Sequence, residues 1–362
     1  MIISEGSLKQ DEAAMLQLRS LYRAYGYSPF KMSKFEEYDL YVRNKSFLVS
    51  DDIITFTDKS GKLMALKPDV TLSIVKNSKD TGGIQKVYYN ETVYRVPGGG
   101  QSYKEIMQVG LECLGDLDRY CLSEVLLLAD RSLAQISADY MLEVSHLGIV
   151  SAVLDRMGLS DGARQEVLAC VGAKNTHRVE ELCAEQGADC GELKALIATY
   201  GAPETVLAAL RDLLPAADGG MVDELESVLS AVPSEKVRVD FSVLQDTNYY
   251  NGIVFKGFLD GIPTRVLSGG QYDYLMRRMG KKAGAIGFAV YLDLLEDLRR
   301  EPEAYDYDVV LLYDDSVPAA AVAKEIRRQT ERGLRVCALR SLPEKRTWRQ
   351  LLRIRESGVV EG

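Results

Sequence analysis

The stretch Ile106-Met107-Gln108-Val109-Gly110-Leu111-Glu112-Cys113-Leu114-Gly115 decides how the chain folds. Side chains alternate faces along a strand, so Gln108, Gly110 and Glu112 share one face while Val109, Leu111 and Cys113 share the other. The apolar face belongs in a core. The polar face, with glycine at its centre, suits the floor of a site where a polar ligand lies close to the backbone. A solvated face of an edge strand is the alternative. Residues 84–96 form a second expected strand, joined to the first by Pro97-Gly98-Gly99-Gly100-Gln101-Ser102. That glycine run could cradle a phosphate. Arg95 precedes it and Lys104 follows, but nothing inside it is basic, so a plain hairpin loop accounts for it better.

Working outward, a helix is predicted to open at Ser7, with Gln10 as its capping partner, and to end at Gly26. Ala14, Leu18, Leu21, Tyr22 and Tyr25 give its apolar face. Residues 46–66 read as a hairpin turning at Asp58-Lys59-Ser60-Gly61. Pro68 suits the first turn of a helix through Thr71, Leu72 and Val75. Helix is expected from about Ser123 to His146, and the alanine- and leucine-rich residues 150–232 read as an all-helical insertion. Strands return at 237–243, 249–258 and 263–268, and Ala283 to Leu298 reads as a strand running into a helix. From Tyr307 the tail reads as strand, helix (Ala319 to Thr330), strand, helix (Glu344 to Glu356), a basic βαβα unit. The pattern is α+β: an antiparallel sheet core with flanking helices, a helical insertion and a small C-terminal α/β unit. The expected domains are 1–304 and 305–362.

A net charge of −9 supplies no global field toward nucleic acid or anionic membranes. The six cysteines are scattered without a C-x-x-C pair, and His146 and His177 are the only histidines. No metal site or cofactor is expected. The opening MIISEGSLKQDEAAM is polar and acidic rather than leader-like. No apolar run approaches the ~18 residues of a membrane span. A reducing cytoplasm fits this cysteine usage.

Two further groups carry candidate chemistry. In Lys67-Pro68-Asp69-Val70-Thr71, Asp69 could accept hydrogen bonds from an ammonium group, or Asp69 or Thr71 could cap the helix that follows. Tyr249, Tyr250 and Tyr272, with Tyr88, Tyr89 and Tyr103 as further candidates, offer aromatic faces with polar tips that suit an imidazole. Taken singly, each tyrosine reads as core packing.

The order LKPDVT, then VYRV–loop–YKEIMQVGLECLG, then DFSVLQDTNYYNGIVF, SGGQYDYL and AIGFAVYLDLL resembles histidyl-tRNA synthetase. More closely, it resembles the synthetase-like regulatory subunits of ATP phosphoribosyltransferase. The resemblance spans residue 1 to about 300. It implies a class II aminoacyl-tRNA synthetase-like core and a histidine site. Asp69 and Thr71 match positions that meet the amino group, and Gln108 and Glu112 match the histidine-binding strand. Tyr250 and Tyr272 match pocket tyrosines, and Arg95 matches the arginine of motif 2.

Departures from the synthetase pattern fall mainly on its ATP side. Ser102, Gln245, Gln271 and Leu294 stand where the pattern has arginine. Asp293 replaces a glutamate, and Ser33 replaces the proline of motif 1. Adenylation needs preorganised cations around its phosphates, which neutral groups cannot imitate. The resemblance therefore implies a non-catalytic subunit. It would partner a short-form ATP phosphoribosyltransferase catalytic subunit, mediate feedback inhibition by L-histidine, and form a homodimer within a hetero-octamer. Histidine could sit in the synthetase-like pocket or at the subunit contact. A divergent histidyl-tRNA synthetase and a free-standing histidine-binding module are the competing readings. From Lys324 to Glu356 the tail carries eleven lysines and arginines against four glutamates, which would suit a truncated anticodon-binding domain. Such helices are usually solvated faces, so tRNA is not an expected partner.

Overall fold

Strand β6 (Lys104–Gly115) occupies the span expected from its alternation, within a nine-stranded sheet. The computed structural model describes residues 8–45, 48, 53–79, 83–96, 102–244, 249–297, 305–355 and 358–361. Ser7, Gly98 to Gly100, Gln245 and part of the 46–66 hairpin lie outside these residues. Residues 9–297 form one compact unit, and residues 305–361 belong to a second.

The large sheet runs β1 (Ser28–Pro29), β5 (Gln85–Arg95), β6, β12 (Gly284–Tyr291), β11 (Leu267–Gln271), β10 (Ile253–Leu259), β7 (Tyr140–His146), β9 (Val237–Asp240), β8 (Tyr200–Gly201). Pairing is antiparallel except at β1/β5 and β7/β9. Helices α1 (Gln10–Ala24) and α4 (Arg119–Ile136) cover one face. There Tyr22 meets Phe288 edge-on at 5.9 Å and its hydroxyl lies 3.0 Å from Ser132. Val109, Leu111 and Cys113 of β6 are wholly buried, as their alternation predicts. A three-stranded sheet, β2 (Phe35–Glu37), β4 (Leu63–Leu66) and β3 (Thr55–Thr57), flanks the core beside α2 (Tyr38–Arg43). Asp58 closes the β3–β4 turn by accepting from the Ser60 and Lys62 backbone at 2.8 and 2.9 Å. The short helices α3 (Thr71–Asn77) and α11 (Asp273–Arg278) complete the core.

Several spans differ from the sequence reading. The helix predicted to reach His146 stops at Ile136, and Tyr140 to His146 form β7. No glycine or proline marks that break; its signal is the inward alternation of Leu142, Val144 and His146. Helix α1 starts at Gln10, where Glu12 accepts from the Lys9 backbone at 2.9 Å. The third returning strand is 267–271 rather than 263–268, and β12 runs into a 3-10 turn at Leu292–Asp297. The insertion holds α5 (Leu147–Arg156), α6 (Asp161–Gly172), α7 (Thr176–Glu185), α8 (Gly191–Ala198), α9 (Pro203–Leu213) and α10 (Gly219–Ser230). It is not all-helical, because β8 lies within it and pairs with β9.

The C-terminal unit contains β13 (Tyr307–Leu312), α12 (Ala319–Thr330), β14 (Val336–Leu339), β15 (Trp348–Arg355) and β16 (Gly358–Glu361). Its order is β14-β13-β15-β16, with β13 parallel to both neighbours. The expected final helix is thus a strand, and the unit is βαβββ. Leu352 and Ile354 are buried while Arg353 and Arg355 are exposed, a two-residue period that overrides the helix-favouring composition. The chain's single tryptophan, Trp348, lies in this strand, so its fluorescence reports on this unit alone. Leu352→Ala is expected to remove about 2–5 kcal/mol from the tryptophan-detected urea transition. Circular dichroism of the large unit should stay unchanged.

Candidate functional site

The polar face of β6 floors a cavity of about 360 Å³. Alternation aims Gln108 and Glu112 into it, and both are nearly inaccessible to bulk water. Glu112 is fixed from two sides. Thr71 at the start of α3 donates to Oε1 at 2.9 Å, and the Tyr272 hydroxyl donates to Oε2 at 2.7 Å. Gly287 of β12 lies directly opposite Glu112, and a Cβ there would stand 1.6 Å from Oε2. The glycine is what lets the carboxylate occupy its place.

Gly110 plays a different part from the expected one. Its Cβ would fall 2.4 Å from the Tyr89 hydroxyl and 2.3 Å from the Phe288 carbonyl oxygen. Tyr89, its cross-strand partner on β5, lies over the glycine and lines the cavity itself. The absent side chain therefore admits a tyrosine rather than a ligand.

Asp69 takes the capping role and also stands in the cavity wall. Its Oδ1 accepts from the Leu72 backbone at 2.8 Å, capping α3, and the residue also lines the cavity. Burial raises its pKa, opposed by that backbone bond and by the positive charge of Arg95. Burial likewise pushes Glu112 up to about 8, against the hydrogen bonds from Tyr272 and Thr71, and Asp69 adds to the rise. No lysine or arginine contacts Glu112 among the described residues. Two adjacent carboxyl groups lacking a cation in contact are complementary to an ammonium or imidazolium.

Arg95 ends β5 and is buried against the cavity. Tyr249 and Tyr250 form a tilted pair with ring centroids 4.5 Å apart, and burial raises both phenols well above their ordinary range. They remain neutral donors. Of the expected residues, Asp69, Thr71, Arg95, Gln108, Glu112 and Tyr250 all line one cavity. Tyr272 stands behind Glu112 and holds it instead of lining the space.

Gln271 does not face this cavity. It lies on the opposite face of β11 from Ser268 and Gly270, and its Oε1 accepts from the Ile253 backbone at 2.6 Å. Neither Ser102 nor Leu294 lines the cavity. Sequence reasoning missed Lys256, Arg265, Ser268 and Tyr291, which do. Lys256 was legible as the lone charge in the apolar strand IVFKGFL (253–259); Arg265 carries no such pattern. Among the described residues no cluster of histidine, cysteine, aspartate or glutamate could hold a metal, and no helix is long and apolar enough to cross a membrane.

The sequence profile of the family described as histidyl-tRNA synthetase matches residues 3–295. An ATP phosphoribosyltransferase regulatory subunit from Oceanobacillus iheyensis is 28% identical over 291 residues, covering 77% of this chain and 71% of that protein. A histidine–tRNA ligase from Methanococcus vannielii is 25% identical over 301 residues, covering 79% and 71%. The fold matches a crystal structure from Bacillus halodurans C described as an ATP phosphoribosyltransferase regulatory subunit/histidyl-tRNA synthetase. Its TM-score is 0.74 at 22% identity, with 93% of this chain and 90% of that one covered.

The raised Glu112 carboxyl gives a signed pH dependence. A folded pKa near 8, above the unfolded value of about 4.3, favours the folded state at low pH, and this contribution is lost as pH rises toward 8. Glu112→Gln, which cannot ionise, should therefore raise the melting temperature of the ligand-free protein more at pH 8 than at pH 5. Thermal unfolding followed by circular dichroism reads the difference.

Proposed function

The chain belongs to the histidyl-tRNA synthetase family, and we propose that within it the chain is a regulatory subunit of an ATP phosphoribosyltransferase and not a ligase. The observation that carries this reading is the asymmetry of the site. Its amino-acid end, with Asp69, Thr71, Gln108, Glu112 and Tyr250, is gathered in one cavity. Ser102, Gln271 and Leu294 occupy positions where the synthetase pattern has arginine, and none of them lines that cavity. Loss of one preorganised donor costs about 2–4 kcal/mol of transition-state stabilisation. Ser102 and Leu294 count as two such losses, Gln271 being tied to the Ile253 backbone on the other face of its strand. They leave amino-acid binding possible and weaken the electrostatic support for activation.

In this reading the cavity takes L-histidine. The ammonium or imidazole faces Asp69 and Glu112, and the aromatic faces of Tyr249 and Tyr250 flank the ring. A short-form catalytic subunit holds the transferase chemistry, and this chain supplies activation and feedback inhibition by histidine. Inhibition then requires histidine to bind one assembly state better than another. A homodimer within a hetero-octamer would need a contact surface, and the small β2–β4–β3 sheet offers an exposed apolar face. There Phe35 and Phe56 pack edge-on at 5.4 Å and stay 46% and 38% exposed. A cytoplasmic setting accords with the free cysteines. tRNA binding gains little from the tail. Asp306, Asp308, Asp314, Asp315 and Glu361 reduce its basic surplus to two across the whole unit, and Arg335, Arg340 and Arg346 pair with three of those aspartates.

Two observations favour the ligase reading: Arg95, Lys256 and Arg265 give the cavity three cations, and ligases match at similar identity. Two assays separate the readings. Co-expression with a short-form transferase should give phosphoribosyl-ATP synthesis that histidine inhibits, while the chain alone should show no histidine-dependent ATP–pyrophosphate exchange. Measurable exchange would overturn the regulatory reading. Glu112→Ala should weaken histidine binding about tenfold or more, the worth of a charge-assisted bond, with the fold retained by circular dichroism.

A further inference from the structure

The sheet register places a lysine where the cavity would otherwise be lined by small residues. On the cavity face, one row runs Glu112, Gly287, Gly270, Val254 across β6, β12, β11 and β10. The next row, two residues along each strand, runs Gly110, Ala289, Ser268, Lys256. Lys256 is therefore three strands, roughly 14 Å of sheet, away from the strand that bears Glu112. Arg265 lines the same cavity from the exposed segment preceding β11.

Among the described residues, neither cation has a carboxylate in contact. No ion pair or hydrogen bond engages the Lys256 or Arg265 side chain among the described residues. Glu143 of β7 lies opposite Lys256 in register without closing to an ion pair. Burial lowers the Lys256 pKa and the charge of Arg265 lowers it further, opposed by Glu143 and Asp240. Asp240 is itself paired with Lys174 at 2.7 Å. Two like charges that line one cavity and act on each other are stabilised when an anion joins them.

We propose that Lys256 and Arg265 form an oxyanion subsite of the cavity, which receives the carboxylate of an amino-acid ligand or a phosphate group. Its carboxylate arm rests on the reading of the cavity as a histidine site; its phosphate arm does not. With Asp69 and Glu112 at the other end, the cavity is then complementary to a ligand carrying both signs of charge.

Calorimetric titration of the full chain and of Lys256→Gln and Arg265→Gln tests this with L-histidine, L-histidinol and inorganic pyrophosphate. Histidinol keeps the ammonium and imidazole but has a hydroxymethyl group in place of the carboxylate. For a carboxylate site, histidine should bind about tenfold or more tighter than histidinol, and each variant should bring the two within about threefold. For a phosphate site, pyrophosphate should bind and each variant should lose about tenfold or more of its affinity. The subsite is refuted if neither variant changes any of the three affinities beyond about threefold, or if none of the three ligands binds the native chain. Histidine binding indifferent to both variants, with no pyrophosphate effect, would sink the subsite and leave the histidine reading standing. Pyrophosphate binding that depends on both residues, without histidine binding, would do the reverse. Arg265 is exposed, so its variant keeps the test open should Lys256→Gln fail to fold.

Discussion

The carboxyl of Glu112 is the constraint on which the site depends. It is buried and, among the described residues, has no basic partner in contact, so its hydrogen bonds must stand in for water. Thr71 supplies one from the start of α3, and Tyr272 supplies the other from the residue before α11. Gly287 clears the space from the neighbouring strand. A one-residue slip between β6 and β12 would bring the opposite face of β12 against Glu112 and destroy this arrangement. The register of the central sheet and the placement of α3 and α11 are thus tied to a single side chain.

How much of this was legible follows from what each signal encodes. Strand alternation fixes which face a residue takes, and it sufficed for Gln108 and Glu112. It says nothing of what lies across the strand, which is why Gly110 read as ligand space when Tyr89 fills it. Asp69 and Tyr250 were candidates on their own chemistry, but a lone acid before a helix or a tyrosine beside a strand has ordinary structural uses, so the family resemblance weighted them, and it alone assigned Arg95. The cap at Leu72 shows that Asp69 performs such a use while also lining the cavity. In the tail, arginine-rich composition suggested a helix where Leu352 and Ile354 alternate as a strand. Composition ranks propensities by tenths of a kcal/mol, and burying one face of a sheet outweighs that.

Gln271 shows the limit of counting lost arginines. Its carboxamide binds the Ile253 backbone on the face away from the cavity, so glutamine here is a structural choice that ties β11 to the start of β10. Its presence cannot by itself report a lost phosphate contact. Meanwhile Lys256 and Arg265 bring positive charge into the cavity at positions that the synthetase pattern did not single out. The comparison with the synthetase pattern therefore turns on where the cations of this cavity stand, and not on how many it has.

A regulatory pocket and a catalytic one also ask different things of the same carboxyl. Catalysis needs interactions that strengthen only in the transition state. Regulation needs a ligand that binds one conformation better than another. Under the regulatory reading proposed above, Glu112 is the group through which a cationic ligand would act. With its pKa near 8 it is mostly protonated in the empty site at neutral pH, and a cationic ligand would favour its ionised form. The charge so created falls on oxygens that Thr71 and Tyr272 already contact, which strengthens both bonds together. In that reading, a ligand's charge would bear on the two bonds that join Glu112 to α3 and to the residue before α11.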